Sequence, residues 1–284
     1  MLAVLNGISL GFVLFLIGSG LSLIIGSMGI INLAHGALYM VGAYVGWSVA
    51  MDAGLPFWLA IGCGALAAAV VGMLVHQAFF RHLSGLLDEQ ILISFGVVYI
   101  LADVVQWIWG TNAKAPFSVP GLDGSVNLLG LTYPTARVFI IVVGIVFLVL
   151  LWWLQQRTRI GAIVRAGMDD PQMVRTMGIR LDLVSAGLFV IGSAVAGAAG
   201  VIGGLVMGAQ PSFGIDIMLL ALVVVVLGGV GSIPGALIGA LIVGLSQAVS
   251  VVLFPSFSGF SLYVVMAVIL VVRPAGISGR VVSQ

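Results

Sequence analysis

The sequence predicts an all-α integral membrane protein, a polytopic bundle of about eight or nine transmembrane helices in a single domain over residues 1–284. Composition is the first observation behind this. Hydrophobic residues make up 62% of the chain and charged residues 7%, with a mean hydropathy of +1.30, whereas soluble domains carry about 25% charged residues. The second is the repetition of apolar runs cut by short polar or Gly/Pro clusters. The third is the segregation of basic residues into alternate connections, as the retention of Lys and Arg on one side of a membrane requires.

Taken in order, the apolar runs predict helices over 4–26, 36–51, 56–79, 91–109, 137–155, 183–207, 217–229, 234–253 and 260–272. The stretch Leu2 to Ile25 has neither the basic n-region nor the small-residue cleavage site of a signal peptide, and is expected to be a retained first span. Gly26, Gly29, Asn32 and His35 interrupt the apolar run between the first two helices, which predicts a discontinuous helix there. The run 217–229 is short for a full span. Residues 112–136 hold Pro116, Pro120, Gly121, Gly124 and Pro134 and read as an irregular external loop. Of ten basic residues, Arg81, Arg157, Arg159, Arg165, Arg175, Arg180, Arg273 and Arg280 fall on one face, leaving Lys114 and Arg137 on the other. The topology predicted is N-terminus out, C-terminus in.

Small residues predict how the helices meet. Gly192, Ala196, Gly200 and Gly204 recur every fourth position, as do Gly64, Ala68 and Gly72, and Ala236, Ala240 and Gly244. Such ridges let backbones approach in lipid, where apolar burial gives little drive for association. A faint echo between His35-Gly36-Ala37-Leu38 with Gly42-Ala43 and Pro234-Gly235-Ala236-Leu237 with Gly239-Ala240 predicts parallel pseudo-repeats, since both open an ascending helix.

The segment 157–180 is too charged to span, yet its pattern is helical. Ile160, Ile163, Val164 and Met168 share one helix face, with Arg159 and Arg165 elsewhere. Asp170-Pro171 reads as an N-cap with proline at the first helical position, followed by the apolar stripe Met173, Val174 and Met177 and a terminating Gly178. Two readings stand: a helix lying along lipid headgroups, or a docking element for a cytosolic partner. The acidic Asp169-Asp170 corner suits an anionic leaflet poorly, which favours the second.

Polar groups at membrane depth need a partner or an aqueous cavity. Asn32, His35 and Gly36 at the predicted break, and Ser94 and Asp103 on the fourth helix, are the candidates for a solute pathway. For His35 alone a structural role is the favoured reading, whereas Asp103, with Gln106 one turn on, equally suits interfacial water. Asp216 suits the capping of a helix start. Gly228 to Gly235 is not a phosphate loop, because no Gly-Lys-Ser/Thr follows and no strand precedes it. The lone Cys63 makes neither a disulfide nor a cysteine metal cluster. No paired carboxylates or Ser/His/Asp grouping supports catalysis, and neither a catalytic nor a metal site is expected.

The chain resembles the LivH-type permeases of branched-chain amino acid ABC importers nearly end to end. Asn6-Gly7, Gly11, Gly20-Leu21, Gly26, Met28 and Ile31-Asn32-Leu33-Ala34-His35-Gly36, leading to Met40 and Gly42-Ala43-Tyr44, are similar to the family's N-terminal signature. Arg165-Ala166, Asp170, Met173 and Gly178-Ile179 resemble its coupling loop, and Gly228 to Ala236 a late signature. Ala37 stands where many members have an acidic residue, and Val174 where they have alanine. The resemblance implies a permease subunit of an ATP-binding-cassette importer in a bacterial inner membrane, carrying branched-chain or related amino acids, with urea or short amides as the alternative. A passive small-solute channel is the alternative from another class. The implied partners are a second related permease, two cytosolic ATPases and an extracytoplasmic solute-binding protein, besides membrane lipid. ATP and Mg would belong to the ATPases, leaving this chain without a cofactor and without enzymatic activity. Arg165, Met168, Asp169, Asp170, Met173, Met177 and Gly178 are the expected coupling residues.

Overall fold

A computed structural model describes residues 1–83, 85–128, 130–273 and 276–278; for residues 27, 28, 128, 168, 169, 171, 257 and 258 it describes the backbone alone. Arg280 lies outside the described residues. The helices are α1 (Leu2–Met28), α2 (His35–Trp47, followed by a π turn over Ser48–Asp52), α3 (Phe57–Ala78) and α4 (Leu87–Trp109). A hairpin of β1 (Ser125–Leu128) and β2 (Leu131–Pro134) leads to α5 (Thr135–Arg157), α6 (Arg159–Asp169), α7 (Pro171–Thr176), α8 (Leu181–Met207), α9 (Phe213–Gly228), α10 (Ile233–Leu253) and α11 (Ser258–Val272). Among the described residues six helices are long and apolar enough to cross a membrane, while α9 and α11 are shorter apolar helices.

All nine predicted apolar helices are present, and the differences lie at their ends. Helix α4 starts four residues before the predicted 91, because Asp88 and Glu89 in its first turn suit the positive end of a helix. Helix α9 begins at Phe213 rather than 217. The external loop is not wholly irregular: Ser125 pairs with Pro134 and Val126 with Tyr133 in an antiparallel hairpin.

Side-chain bonds define two ends of the bundle. At one, Tyr133 donates to the Leu5 carbonyl at 2.9 Å, Trp109 Nε1 to Ser48 Oγ at 2.6 Å, and Lys114 and Ala209 exchange backbone bonds. This hairpin end also holds Lys114, whose Nζ lies 4.6 Å from the Trp47 ring centroid. At the other, Gly231 bonds Ser22 and Gln155, and Ile277 N–H bonds the Leu227 carbonyl. Arg81, Arg157, Arg159, Arg165, Arg175, Arg180 and Arg273 gather at this arginine end, as the charge pattern requires.

Helices α1 and α8 form the centre, 83% and 78% buried over their most apolar windows, against 22% for α4 and 17% for α5 at the periphery. The small-residue ridges are the contact surfaces. Gly42, Gly64 and Gly197 converge so closely that a methyl on any one would strike a neighbouring helix, and Gly7 and Gly11 of α1 meet Gly244 and Ala240 of α10 in the same way.

Although α2 and α10 run in the same sense, as the sequence echo requires, they do not hold equivalent places. The packing instead has an inverted-topology correspondence between α1–α4 and α8–α11. Helix α1 packs on α10 as α8 packs on α3, and α2 on α3 as α9 on α10. Each long helix, α1 or α8, ends at a Met-Gly pair whose glycine has positive φ, Gly29 (φ 62) or Gly208 (φ 69). The chain then turns back and starts a shorter helix, and the two short helices touch at Gly36 and Gly214.

Candidate functional site

The predicted break lies between α1 and α2, but the chain reverses there after Gly29, so it separates two oppositely running helices and does not interrupt a single one. Asn32 Oδ1 accepts the Ala34 N–H at 3.0 Å and the Asn32 carbonyl accepts the His35 N–H at 3.3 Å, so a side-chain turn starts α2 inside the bundle. Gln90 of α4 fastens this turn: its Oε1 accepts Ile31 N–H at 3.0 Å, while its Nε2 donates to the Leu83 carbonyl at 2.7 Å. Ser94, one turn on, returns its hydroxyl to the Ile91 carbonyl at 2.8 Å. His35 Nε2 lies 3.2 Å from the Ile17 carbonyl of α1. A carbonyl only accepts, so this contact places the ring proton on Nε2. His35 Nδ1 and Asn32 Nδ2 have no protein partner, and Asn32, His35 and Ser94 are wholly buried. Gly36 meets the Gly214 carbonyl and Met218 of α9. These residues therefore fix where α2 and α4 meet α1 and α9, and the chain covers them on all sides.

Asp103 is elsewhere. It lies on the exposed face of α4, with Tyr99, Ile100, Val104 and Trp107. Together with Val98, Tyr99, Ala102 and Gln106 it forms one wall of a cleft of about 220 Å³, the other wall being Pro211, Ser212, Gly214 and Ile215 at the start of α9. Helix α9 starts at Phe213 with Ser212 as its N-cap and no side-chain cap; Phe213 and Ile215 N–H bond the Gln210 and Ser212 carbonyls, and Asp216 lies in the first turn, so the positive end that borders the cleft already has one carboxylate beside it. The arrangement sets a carboxylate across a small cavity from a helix N-terminus. Of the five pathway candidates, only Asp103 borders the cleft. The α9 wall was not legible from sequence, because Ser212 lies more than one hundred residues from Asp103 and neither belongs to a local motif.

At the arginine end, α6 and α7 form the predicted pair of short helices. Thr158, not anticipated, caps α6 by accepting Gly161 N–H at 3.2 Å; a threonine just before an amphipathic run was the available signal. Asp170 caps α7 as expected, its Oδ1 accepting Gln172 and Met173 N–H at 2.9 and 3.0 Å, and Gly178 ends the unit with φ 78. The expected stripe splits: Val174 is 3% exposed, whereas Met173 and Met177 are 62% and 68% exposed. Arg165 does not join the solvent-facing arginines, because its guanidinium donates to the Gln155 carbonyl at the end of α5. The side chains of Met168 and Asp169 lie outside the described residues.

Comparison with known proteins gives these features a context. The family described as branched-chain amino acid transport system / permease component matches residues 3–273. The chain is 32% identical to the high-affinity branched-chain amino acid transport system permease protein LivH of Salmonella typhimurium, over 97% of this chain and 94% of that protein. It is 26% identical to the corresponding permease protein LivM of Escherichia coli K12, over 95% and 68%. Among solved structures, PsaBC from Streptococcus pneumoniae in complex with Fab superposes with a TM-score of 0.50 at 14% identity, over 94% of this chain and 89% of that one, a likeness of fold. A multi-pass helical bundle matched in sequence along nearly its whole length, this chain belongs to the branched-chain amino acid transport system permease family.

Proposed function

We propose that this chain is the membrane-spanning permease subunit of an ATP-driven importer of branched-chain or related amino acids, contributing one wall of the translocation pathway. The observation that carries the reading, within a permease family, is the α6–α7 unit. It packs on the arginine end of the bundle through Val164 and Val174, is capped by Thr158 and Asp170, and offers exposed Met173 and Met177 beside Arg175. Methionine and arginine suit an interface that is repeatedly loaded. In this reading residues 157–180 face the cytosol and meet an ATPase through Arg165, Met168, Asp169, Asp170, Met173, Met177 and Gly178. Residues 112–136 face outward, and the whole of 1–284 is one permease domain in a bacterial inner membrane, N-terminus out and C-terminus in.

The similarity to both LivH and LivM, two permease proteins of one transport system in Escherichia coli, supports a second related permease as partner. The α4 face carrying Asp103 supports it too, because a carboxylate amid apolar side chains is costly against lipid, about 2.5 to 3.5 kcal/mol at a helix centre. A pathway between two such subunits gives it water. There Asp103 receives an ammonium group and the start of α9 a carboxylate, the two charges of an amino acid. Asn32, His35, Gly36 and Ser94 act behind that wall, holding α2 and α4 in place. Two cytosolic ATPases bind ATP and Mg, an extracytoplasmic protein delivers the solute, and this chain contributes motion without a cofactor.

Proteoliposomes of the co-purified complex test this. Uptake of tritiated leucine that needs ATP and the binding protein is the expected result. Uptake by this chain alone without ATP would establish a channel, and competition by urea or acetamide but not by leucine or valine would reassign the solute. Labelling by an impermeant maleimide in a Cys63→Ser background fixes the orientation: Val126→Cys should react from outside and Arg175→Cys should not.

A further inference from the structure

We propose that Gln155, the antepenultimate residue of α5, is a positioning residue for transport, linking the coupling unit to the glycine-rich connection between α9 and α10. The inference rests on the reading of α6–α7 as the element an ATPase moves. Its two backbone and side-chain bonds point in different directions. The Gln155 carbonyl accepts the Arg165 guanidinium of α6. Its Nε2 donates to the Gly231 carbonyl at 2.9 Å, 76 residues along the chain.

Gly231 is constrained in three ways. Its φ of 79 is reserved largely for glycine. Its N–H donates to Ser22 Oγ of α1 at 3.1 Å, and it lies against Gly26 closely enough that a methyl on Gly26 would overlap it. Ile277 and Ser278 N–H groups bond the Leu227 and Gly228 carbonyls, and Ser232 caps α10 through Gly235 N–H at 3.1 Å. The connection is therefore a fixed joint, and Gln155 is the side chain that ties it to α5 and α6. A small cavity lined by Leu23, Leu154, Gln155, Ile160, Val164 and Gly231 lies at this junction.

The far end of α9 forms the cleft wall of Pro211, Ser212, Gly214 and Ile215. Helix α9 has 16 residues, about 24 Å of rigid rod at 1.5 Å per residue. A tilt of about 5° set at Gly231 moves the cleft wall by about 2 Å, enough to open or close contacts there. Displacement of α6 reaches the cleft by this route: Arg165 pulls the end of α5, Gln155 carries the pull to Gly231, and α9 turns it into movement opposite Asp103.

The test measures leucine transported per ATP hydrolysed in proteoliposomes of the assembled complex carrying Gln155→Leu, which keeps the bulk and removes the donor. The expected result is a ratio about five- to tenfold below wild type, the fold-change of one part-buried hydrogen bond, with complex yield and basal ATPase activity within about twofold. Gln156→Leu, the same change at the exposed neighbouring residue, should leave the ratio unaltered. If Gln155→Leu does not assemble, Gln155→Glu takes its place, since it keeps the shape and sets an acceptor against the Gly231 carbonyl; the same fall is expected. A wild-type ratio in the assembled variant overturns the role of Gln155. Wild-type complex that moves leucine without ATP overturns the coupling reading beneath it, so the two failures are separable.

Discussion

Replacing Gly7 with alanine should destabilise the bundle, although alanine is the better helix former. A methyl built on Gly7 lies 2.8 Å from Leu245 Cα and 3.1 Å from the Gly244 carbonyl oxygen of α10. Carbon atoms pack at about 3.5 to 4.0 Å, so the two backbones must part by about 1 Å. Overpacking of this kind costs about 1 to 3 kcal/mol, and the neighbours struck first are backbone atoms that have no rotamer to escape into. Against this stands a gain of about 0.8 to 1.0 kcal/mol in helix propensity. The net expectation is a loss of about 0 to 2 kcal/mol. Gly62 is the control, because a methyl there meets nothing within 4 Å. Gly62→Ala should be neutral or stabilising by up to about 1 kcal/mol. Reversible unfolding in mixed detergent–SDS micelles, followed by tryptophan fluorescence, compares the two directly. Equal midpoints for Gly7→Ala and Gly62→Ala would refute the claim that close backbone contact between α1 and α10 holds the bundle together.

Three further outcomes follow from named contacts. Asp170→Ala removes both side-chain caps of α7 and should cost about 1 kcal/mol locally, seen as roughly fivefold faster amide exchange at Gln172 and Met173 while α8 keeps its protection. Asp103→Asn should leave the yield of complex unchanged and raise the KM for leucine about tenfold or more, as loss of a charged contact does; an unchanged KM would remove Asp103 from the pathway. Tyr133→Phe deletes the bond to the Leu5 carbonyl and should cost about 1 kcal/mol, read as faster proteolysis of the hairpin with the helices intact.

The nine apolar segments, the non-spanning helices with their Asp170 cap, the partition of basic residues and the break before His35 were all legible in the sequence. Each is a local or periodic property: run length against bilayer thickness, a cap one residue before a proline, a glycine that ends a helix. The similarity to the LivH-type permeases rests on contiguous strings for the same reason, and the family match runs along nearly the whole chain.

Contacts between distant residues were decided by the tertiary structure alone. The sequence placed Arg165 with the polar arginines, but packing against α5 turns its guanidinium onto the Gln155 carbonyl. It grouped Val174 with Met173 and Met177, and only the position of the bundle buries the first and leaves the other two in the open. It put Asn32, His35 and Asp103 in one list of pathway candidates, yet the first two are sealed beside Gln90 and Ile17 while Asp103 borders the cleft with α9. The inverted pairing of α1–α4 with α8–α11 was hidden because an inverted repeat preserves which helix packs on which, not the order of side chains along a shared face. Hydropathy and periodicity fix which segments enter the membrane and where they stop; which polar group is enclosed and which meets a cavity depends on neighbours that the chain supplies only after it has folded.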